Sequence, residues 1–226
     1  MHPTVSPPDA PPRACIFDLD GTLVDSLPDI HHALMQALRA MNLPPVTREQ
    51  TRGWIGDGLP ALCRRAVPQL DESALETFIH HARTHYAAHV VDHTRPFPNI
   101  MQMLDLLKAE NVPCAVLTNK PHALAVETVR RLGMMPYVID VCGYRREEEK
   151  KPDPRAALRI ALNMGMPPAY VALVGDSVAD LRTARNAGMI SVAVTWGYQN
   201  CDLLRAESPD FFLEDPLDLP RRILKK

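Results

Sequence analysis

The sequence predicts an α/β fold: a doubly wound, largely parallel sheet with a second, α-helical domain inserted straight after the first strand. Three observations predict it. Residues 14–18 form a short apolar run that reads as a strand. From Leu27 to about His89 the apolar spacing is helical, and no run reads as a strand. Beyond Pro96, apolar runs alternate with amphipathic segments, the pattern of strands joined by helical crossovers.

Taken in order, residues 1–12 (MHPTVSPPDAPP) are proline-rich, lack periodicity and are expected to form a tail. The strand 14–18 comes next, followed by helical segments PDIHHALMQALRAMN, LPALCRRAV and DESALETFIHHARTHYAAHV, punctuated by prolines and glycines. NIMQMLDLLKAEN reads as a helix, VPCAVLT (112–118) as a buried strand, and HALAVETVRRLG as a helix closed by Gly133. A strand near 138–142, the helix PRAALRIALNMG, the strand YVALVGD (170–176), the helix VADLRTARNAG and the strand ISVAVT (190–195) complete the alternation. The expected division is a tail 1–12, a core of 13–24 with 93–226, and a helical domain 25–92.

Composition bounds the function. A chain of 226 residues buries a real core, and a net charge of −2 offers no basic field for nucleic acid or anionic membrane. The five cysteines are odd in number and scattered, as expected in a reducing, cytoplasmic setting. No apolar run approaches membrane-spanning length.

Polar groups gather at the expected carboxyl ends of strands, where open parallel sheets place their chemistry. Asp18 and Asp20 follow the first strand, Thr118 and Asn119 close the next, and a third delivers Asp176, with Asp180 one helical turn beyond. Lys151 precedes the helix leading to that third strand. Acids brought together repel one another, and Mg²⁺, a hard ion that prefers oxygen ligands, relieves the repulsion. A hydroxyl, a lysine and exposed backbone N–H groups beside such a cluster make a phosphoryl-transfer site, with a carboxylate available as nucleophile.

DLDGT (18–22), TN (118–119), KP (151–152) and GDSVAD (175–180) resemble, in order, the four signatures of the haloacid dehalogenase superfamily, over roughly residues 13–215. FDLDGTLVDS, RGWIGDG (52–58), LTNKP (117–121) and TWGY (195–198) are most similar to its phosphoglycolate phosphatase branch. The resemblance implies a Rossmann-like core with an α-helical cap at 25–92. It implies Asp18 as nucleophile and Asp20 as general acid, then base. Mg²⁺ would be held by the Asp18 carboxylate, the Asp20 backbone carbonyl and Asp176, with Asp180 in support. Thr118 and Lys151 would bind phosphoryl oxygens, and N–H groups around Leu19–Gly21 and at Asn119 would complete the cradle. The presence of Asp20 points to an alkoxide leaving group, since a halide needs no proton to depart.

The cap is expected to complete the specificity pocket, with Trp54 as a wall and Arg52, Arg64 or Arg65 meeting a substrate carboxylate. The expected substrate is a small phosphorylated metabolite such as 2-phosphoglycolate. Pyrophosphate, an amino-sugar or sugar phosphate, a phosphomutase reaction and a phospho-accepting signalling module are the alternatives. No nucleic-acid or membrane partner is expected, and the chain is expected to be a monomer or homodimer. His81, His85 and His89 recur at helical spacing but read as a polar helix face rather than metal ligands.

Overall fold

The computed structural model describes residues 12–223. Strand β1 (Ala14–Phe17) is buried along its whole length, as four apolar residues in a row require in a sheet covered on both faces. The chain leaves the sheet through β2 (Val24–Asp25) and runs through helices α1 (Leu27–Ala40), α2 (Arg48–Trp54), α3 (Leu59–Ala66) and α4 (Glu72–Ala88). It returns through β3 (Arg95–Pro96), which pairs antiparallel with β2, Val24 against Pro96 and Asp25 against Arg95. Then α5 (Ile100–Ala109), β4 (Cys114–Pro121), α6 (His122–Arg131), β5 (Val141–Tyr144) and α7 (Arg155–Asn163) alternate. The chain ends in β6 (Val171–Gly175), α8 (Val178–Ala187), β7 (Ile190–Val194), α9 (Cys201–Ala206), β8 (Phe211–Leu213) and α10 (Asp218–Ile223).

Six strands form one parallel sheet in the order β5-β4-β1-β6-β7-β8. Winding runs outward from β1 in both directions, so the switch point of the topology lies at the carboxyl end of β1, where such sheets hold ligands. Apolar clusters cover both faces: Leu104, Leu107 and Val129 with Phe17 on one, Ile160, Ala161 and Ala184 with Ile16 on the other. The doubly wound α/β expectation therefore holds. No helix among the described residues is long and apolar enough to cross a membrane.

The four helices between β2 and β3 have a core of their own, in which Leu34, Leu38, Leu62, Leu75 and Phe78 are buried. Three of the four helix starts have a local cause in these residues. Pro28 lies in the first turn of α1, Thr47 and Gln50 form a reciprocal capping box on α2, and Asp71 caps α4 through the Ala74 N–H at 2.9 Å. The return to the sheet is held by Asp29, a buried carboxylate that accepts from the backbone N–H groups of His93 and Thr94 and from the Thr94 hydroxyl at 2.7–3.0 Å.

Several boundaries differ from the sequence reading. Helix α2 occupies residues read as part of a glycine loop, because its capping box outweighs Gly53. Strand β4 runs on to Pro121 across a register irregularity after Thr118. The next strand begins at Val141 rather than 138, because a 3₁₀ turn at Met135–Tyr137 delays its alignment with β4. Residues 201–223, unassigned from sequence, add α9, β8 and α10. Of the expected tail 1–12, residues 1–11 lie outside the described residues. Pro12 is buried, and the Arg13 N–H beside it bonds the Tyr170 carbonyl at 2.7 Å, which ties this point of the chain to the entry of β6.

Candidate active site

Because the strands are parallel, Asp18, Thr118 and Asp176 emerge at one edge of the sheet. Asp18 directly follows β1 and is 6% exposed. Its Oδ1 lies 2.9 Å from the Lys151 ammonium, which also reaches Asp180 Oδ1 at 2.5 Å. Asp180 is the third residue of α8 and forms a capping box with Ser177, whose N–H and hydroxyl donate to Asp180 Oδ2 at 3.1 and 2.6 Å. Both Asp180 oxygens are thus engaged, one by an ion pair and one by the helix start.

Asp176, one residue past β6, accepts from the Thr22 hydroxyl at 3.0 Å and from the Tyr198 N–H at 2.7 Å. Glycines wall this carboxylate. A Cβ on Gly21, where φ is +89°, would lie 2.3 Å from Asp176 Oδ2, so the turn after Asp20 depends on glycine for both conformation and clearance. Gly21 donates its own N–H to the Val24 carbonyl at 2.9 Å, and Leu19 donates to Asp18 Oδ1 at 2.7 Å. In this arrangement neither N–H is free for the expected phosphate cradle.

Burial pushes the Asp18 carboxyl up to about 8; Lys151 opposes the shift, while Asp180 and Asp176 reinforce it. Burial and the Asp180 carboxylate push Asp176 up to about 6, against the bonds from Tyr198 and Thr22. Burial alone would lower the Lys151 pKa, but Asp18 and Asp180 outweigh it and hold the ammonium well above its ordinary value. One lysine thus serves a cluster of three buried carboxylates. Oxygens of Asp18, Asp176 and Asp180 lie within 4.8 Å of one another, a hard donor set that fits a divalent cation and the charge it would bring.

Asp20 stands outside that trio. Its two oxygens take the Lys120 ammonium at 2.8 and 3.2 Å, and Lys120 also contacts the phenol oxygen of Tyr86 on α4. A cavity of about 50 Å³ separates the sheet edge from the helical domain. Asp18, Asp20, Thr118 and Lys120 line it from below, with Ile30, Ile55, Leu59, Leu62 and Tyr86 above. The Thr118 hydroxyl accepts from the Lys120 N–H at 3.3 Å and keeps its own hydrogen for a ligand oxygen. Asn119 works as a brace: its side chain accepts from the Lys151 N–H at 2.8 Å and donates to the Gly56 carbonyl at 3.1 Å.

The four residues expected to meet substrate from the cap lie elsewhere. Arg52 donates to the Gly197 carbonyl at 2.6 Å, Arg64 pairs with Glu72 at 3.0 Å, and Arg65 binds Asp57 and the Trp54 carbonyl. Trp54 rests against the cap core. None of the four lines the cavity. The reason is helix phase: α3 turns Leu59 and Leu62 toward the site and its two arginines toward acids on the cap surface. His81 is exposed, while His85 and His89 stack at 4.4 Å with His32 at 4.9 Å from His85. They form no group with metal-ligand geometry among the described residues.

Sequence reasoning did not single out Lys120, Tyr86, Thr22 or Ser177, or the individual role of Tyr198. Lys120 and Tyr198 lie inside the quoted runs LTNKP and TWGY, so a signal for position existed. Their partners, Tyr86 and Asp25, are distant in sequence and gave none.

A sequence profile of the haloacid dehalogenase-like hydrolase family matches residues 15–194. The chain is 34% identical over 200 residues to phosphoglycolate phosphatase of Chromobacterium violaceum, covering 86% of this chain and 90% of that one. It is 33% identical over 215 residues to phosphoglycolate phosphatase of Agrobacterium fabrum, covering 93% and 92%. The crystal structure described as "a predicted phosphoglycolate phosphatase" from Haemophilus somnus 129PT superposes with a TM-score of 0.87 at 30% identity, over 95% of this chain and 98% of that one.

Proposed function

This chain belongs to the haloacid dehalogenase-like hydrolase family, and from that membership and its site we propose a Mg²⁺-dependent phosphomonoesterase that cleaves 2-phosphoglycolate through an aspartyl-phosphate on Asp18. The observation that carries the reading is the unequal setting of the two aspartates. Asp18 is buried against Lys151 and the acidic cluster, while Asp20, two residues on, lines the cavity and is paired with Lys120.

Asp18 attacks phosphorus, and the bond from phosphorus to the ester oxygen breaks. Asp20 donates a proton to the departing alkoxide, then takes one from the water that attacks the aspartyl-phosphate, releasing inorganic phosphate and restoring Asp18. Lys151 and the Thr118 hydroxyl hold phosphoryl oxygens, and Lys151 orients Asp18 and favours its ionised form. The Asp18 and Asp176 carboxylates and the Asp20 backbone carbonyl would hold the cation, with Asp180 behind them. When bound, Mg²⁺ supplies charge neutralisation for the phosphoryl oxygens. Residues 25–92 act as a cap that excludes bulk water over a core of 13–24 and 93–226.

Two observations support phosphoglycolate. Relatives covering most of this chain carry that name. The cation that lines the cavity, Lys120, suits a leaving group that carries an anion. The test is phosphate release from phosphoglycolate, pyrophosphate, an amino-sugar phosphate and a sugar phosphate, with Mg²⁺ or with EDTA. Phosphoglycolate is expected to lead the panel and EDTA to abolish turnover. Activity that survives EDTA would sink the metal assignment, and phosphoglycolate among the poorest substrates would sink the substrate.

A further inference from the structure

The cavity has a charge problem that the cap does not solve. Every cap side chain facing it is apolar or phenolic, and the three candidate arginines are engaged elsewhere. A leaving group with a carboxylate needs a cation, because burying an unpaired carboxylate is prohibitive. Among the residues lining the cavity, Lys120 carries the one cationic side chain.

We propose that Lys120 determines specificity by binding the carboxylate of the leaving group, with Tyr86 of α4 holding its ammonium in place. The inference rests on the phosphatase reading above. Lys120 projects from β4 two residues past Thr118, so a substrate whose phosphoryl group sits at Asp18 and Thr118 has its leaving group beside it. The side chain is buried to 1% exposure, and its ammonium also stands 4.7 Å from the centre of the Tyr86 ring. That anchor leaves two N–H groups, both now directed at Asp20 at 2.8 and 3.2 Å. An incoming carboxylate shares Lys120 with Asp20, one N–H to each, and the acid is released on one side toward the ester oxygen it must protonate. A leaving group without the anion gains no such contact, and both N–H groups stay on Asp20. Specificity is thereby assigned to a core strand together with a cap tyrosine rather than to cap arginines.

The test compares 2-phosphoglycolate with 2-hydroxyethyl phosphate, a near-isostere that lacks the carboxylate, in wild type, Lys120→Met and Tyr86→Phe. Wild type is expected to favour phosphoglycolate by roughly 10-fold or more in kcat/KM, and Lys120→Met to bring that ratio near unity, chiefly through KM. Tyr86→Phe, which keeps the charge and loses the anchor, is expected to give an intermediate ratio. If Lys120→Met does not fold, the Tyr86→Phe ratio decides together with product inhibition: glycolate is expected to inhibit wild type competitively and ethylene glycol not. Equal losses on both substrates in Lys120→Met, or a wild type with no preference, would overturn the inference. A wild type that releases phosphate from no phosphomonoester would overturn the phosphatase reading itself.

Discussion

A Cβ placed on Gly197 would lie 2.1 Å from the Cβ of Asp176, so the loop after β7 closes on this carboxylate of the candidate metal site with no room for a side chain. The contact is with the stem of a residue whose oxygens are already held by Thr22 and by the Tyr198 N–H. Asp176 can yield only by giving up those bonds.

Gly197→Ala is therefore expected to cost about 1–3 kcal/mol of stability through overpacking. Displacing Asp176 by a fraction of an ångström is expected to lower kcat by ~10-fold or more, since catalytic geometry tolerates little error. Denaturant unfolding beside steady-state kinetics checks both, and a fully active variant would show that Asp176 has slack.

Lys151 is the shared counter-ion of Asp18 and Asp180. Lys151→Met leaves two buried carboxylates without a cation and is expected to destabilise by about 3–5 kcal/mol and abolish turnover. Adding Asp18→Asn is expected to return part of the stability and none of the activity. A double variant no more stable than the single one would mean that the pair is not the source of the loss.

Asp18 and Asp176, raised to about 8 and about 6, both lie above the ordinary carboxylate value of about 4. Raised acids favour the folded state most below that ordinary value, and their contribution is lost as pH rises through 6 and then 8. A cation at the site needs the ionised forms, so protons compete with it. The increase in Tm caused by Mg²⁺ is thus expected to be small at pH 5.5 and to grow to pH 8.5. A shift of constant size across that range, or one that Asp176→Asn leaves intact, would contradict the assignment.

Tyr198 joins the site to the cap crossing. Its N–H holds Asp176, while its phenol oxygen accepts the Ser26 and Leu27 N–H groups at 2.7 and 3.0 Å and donates to Asp25 at 2.9 Å. Tyr198→Phe orphans the buried Ser26 N–H, while the Leu27 N–H keeps Asp25 Oδ1 at 3.2 Å, and is expected to cost about 1–3 kcal/mol. KM is expected to rise more than kcat falls, because the cap loses its fixed entry; thermal unfolding and kinetics measure the split.

The core site was legible because its residues sit within or just beyond apolar runs, and a parallel sheet brings such ends together without further instruction. Asp18, Thr118 and Asp176 needed only that rule. Lys120 lay in plain view after Asn119, but its meaning depends on Tyr86, which reaches it through the packing of a separate helical domain. The arginines point elsewhere for a related reason. Residue type marked Arg64 and Arg65 as anion partners, while the rotation of α3 and the nearby acids Glu72 and Asp57 decided where they point. Helix α2 was hidden because Gly53, Gly56 and Gly58 drew attention from the Thr47–Gln50 cap that starts it.

The most direct measurement is chemical trapping of the covalent intermediate. Enzyme turning over phosphoglycolate with Mg²⁺ is quenched with borohydride, which reduces an acyl phosphate on aspartate to homoserine, and the peptide spanning residues 14–39 is read by mass spectrometry. The account predicts homoserine at position 18 in wild type, dependent on substrate, and neither trapping nor turnover in Asp18→Asn. Full turnover by Asp18→Asn, or trapping at any other aspartate, would contradict it.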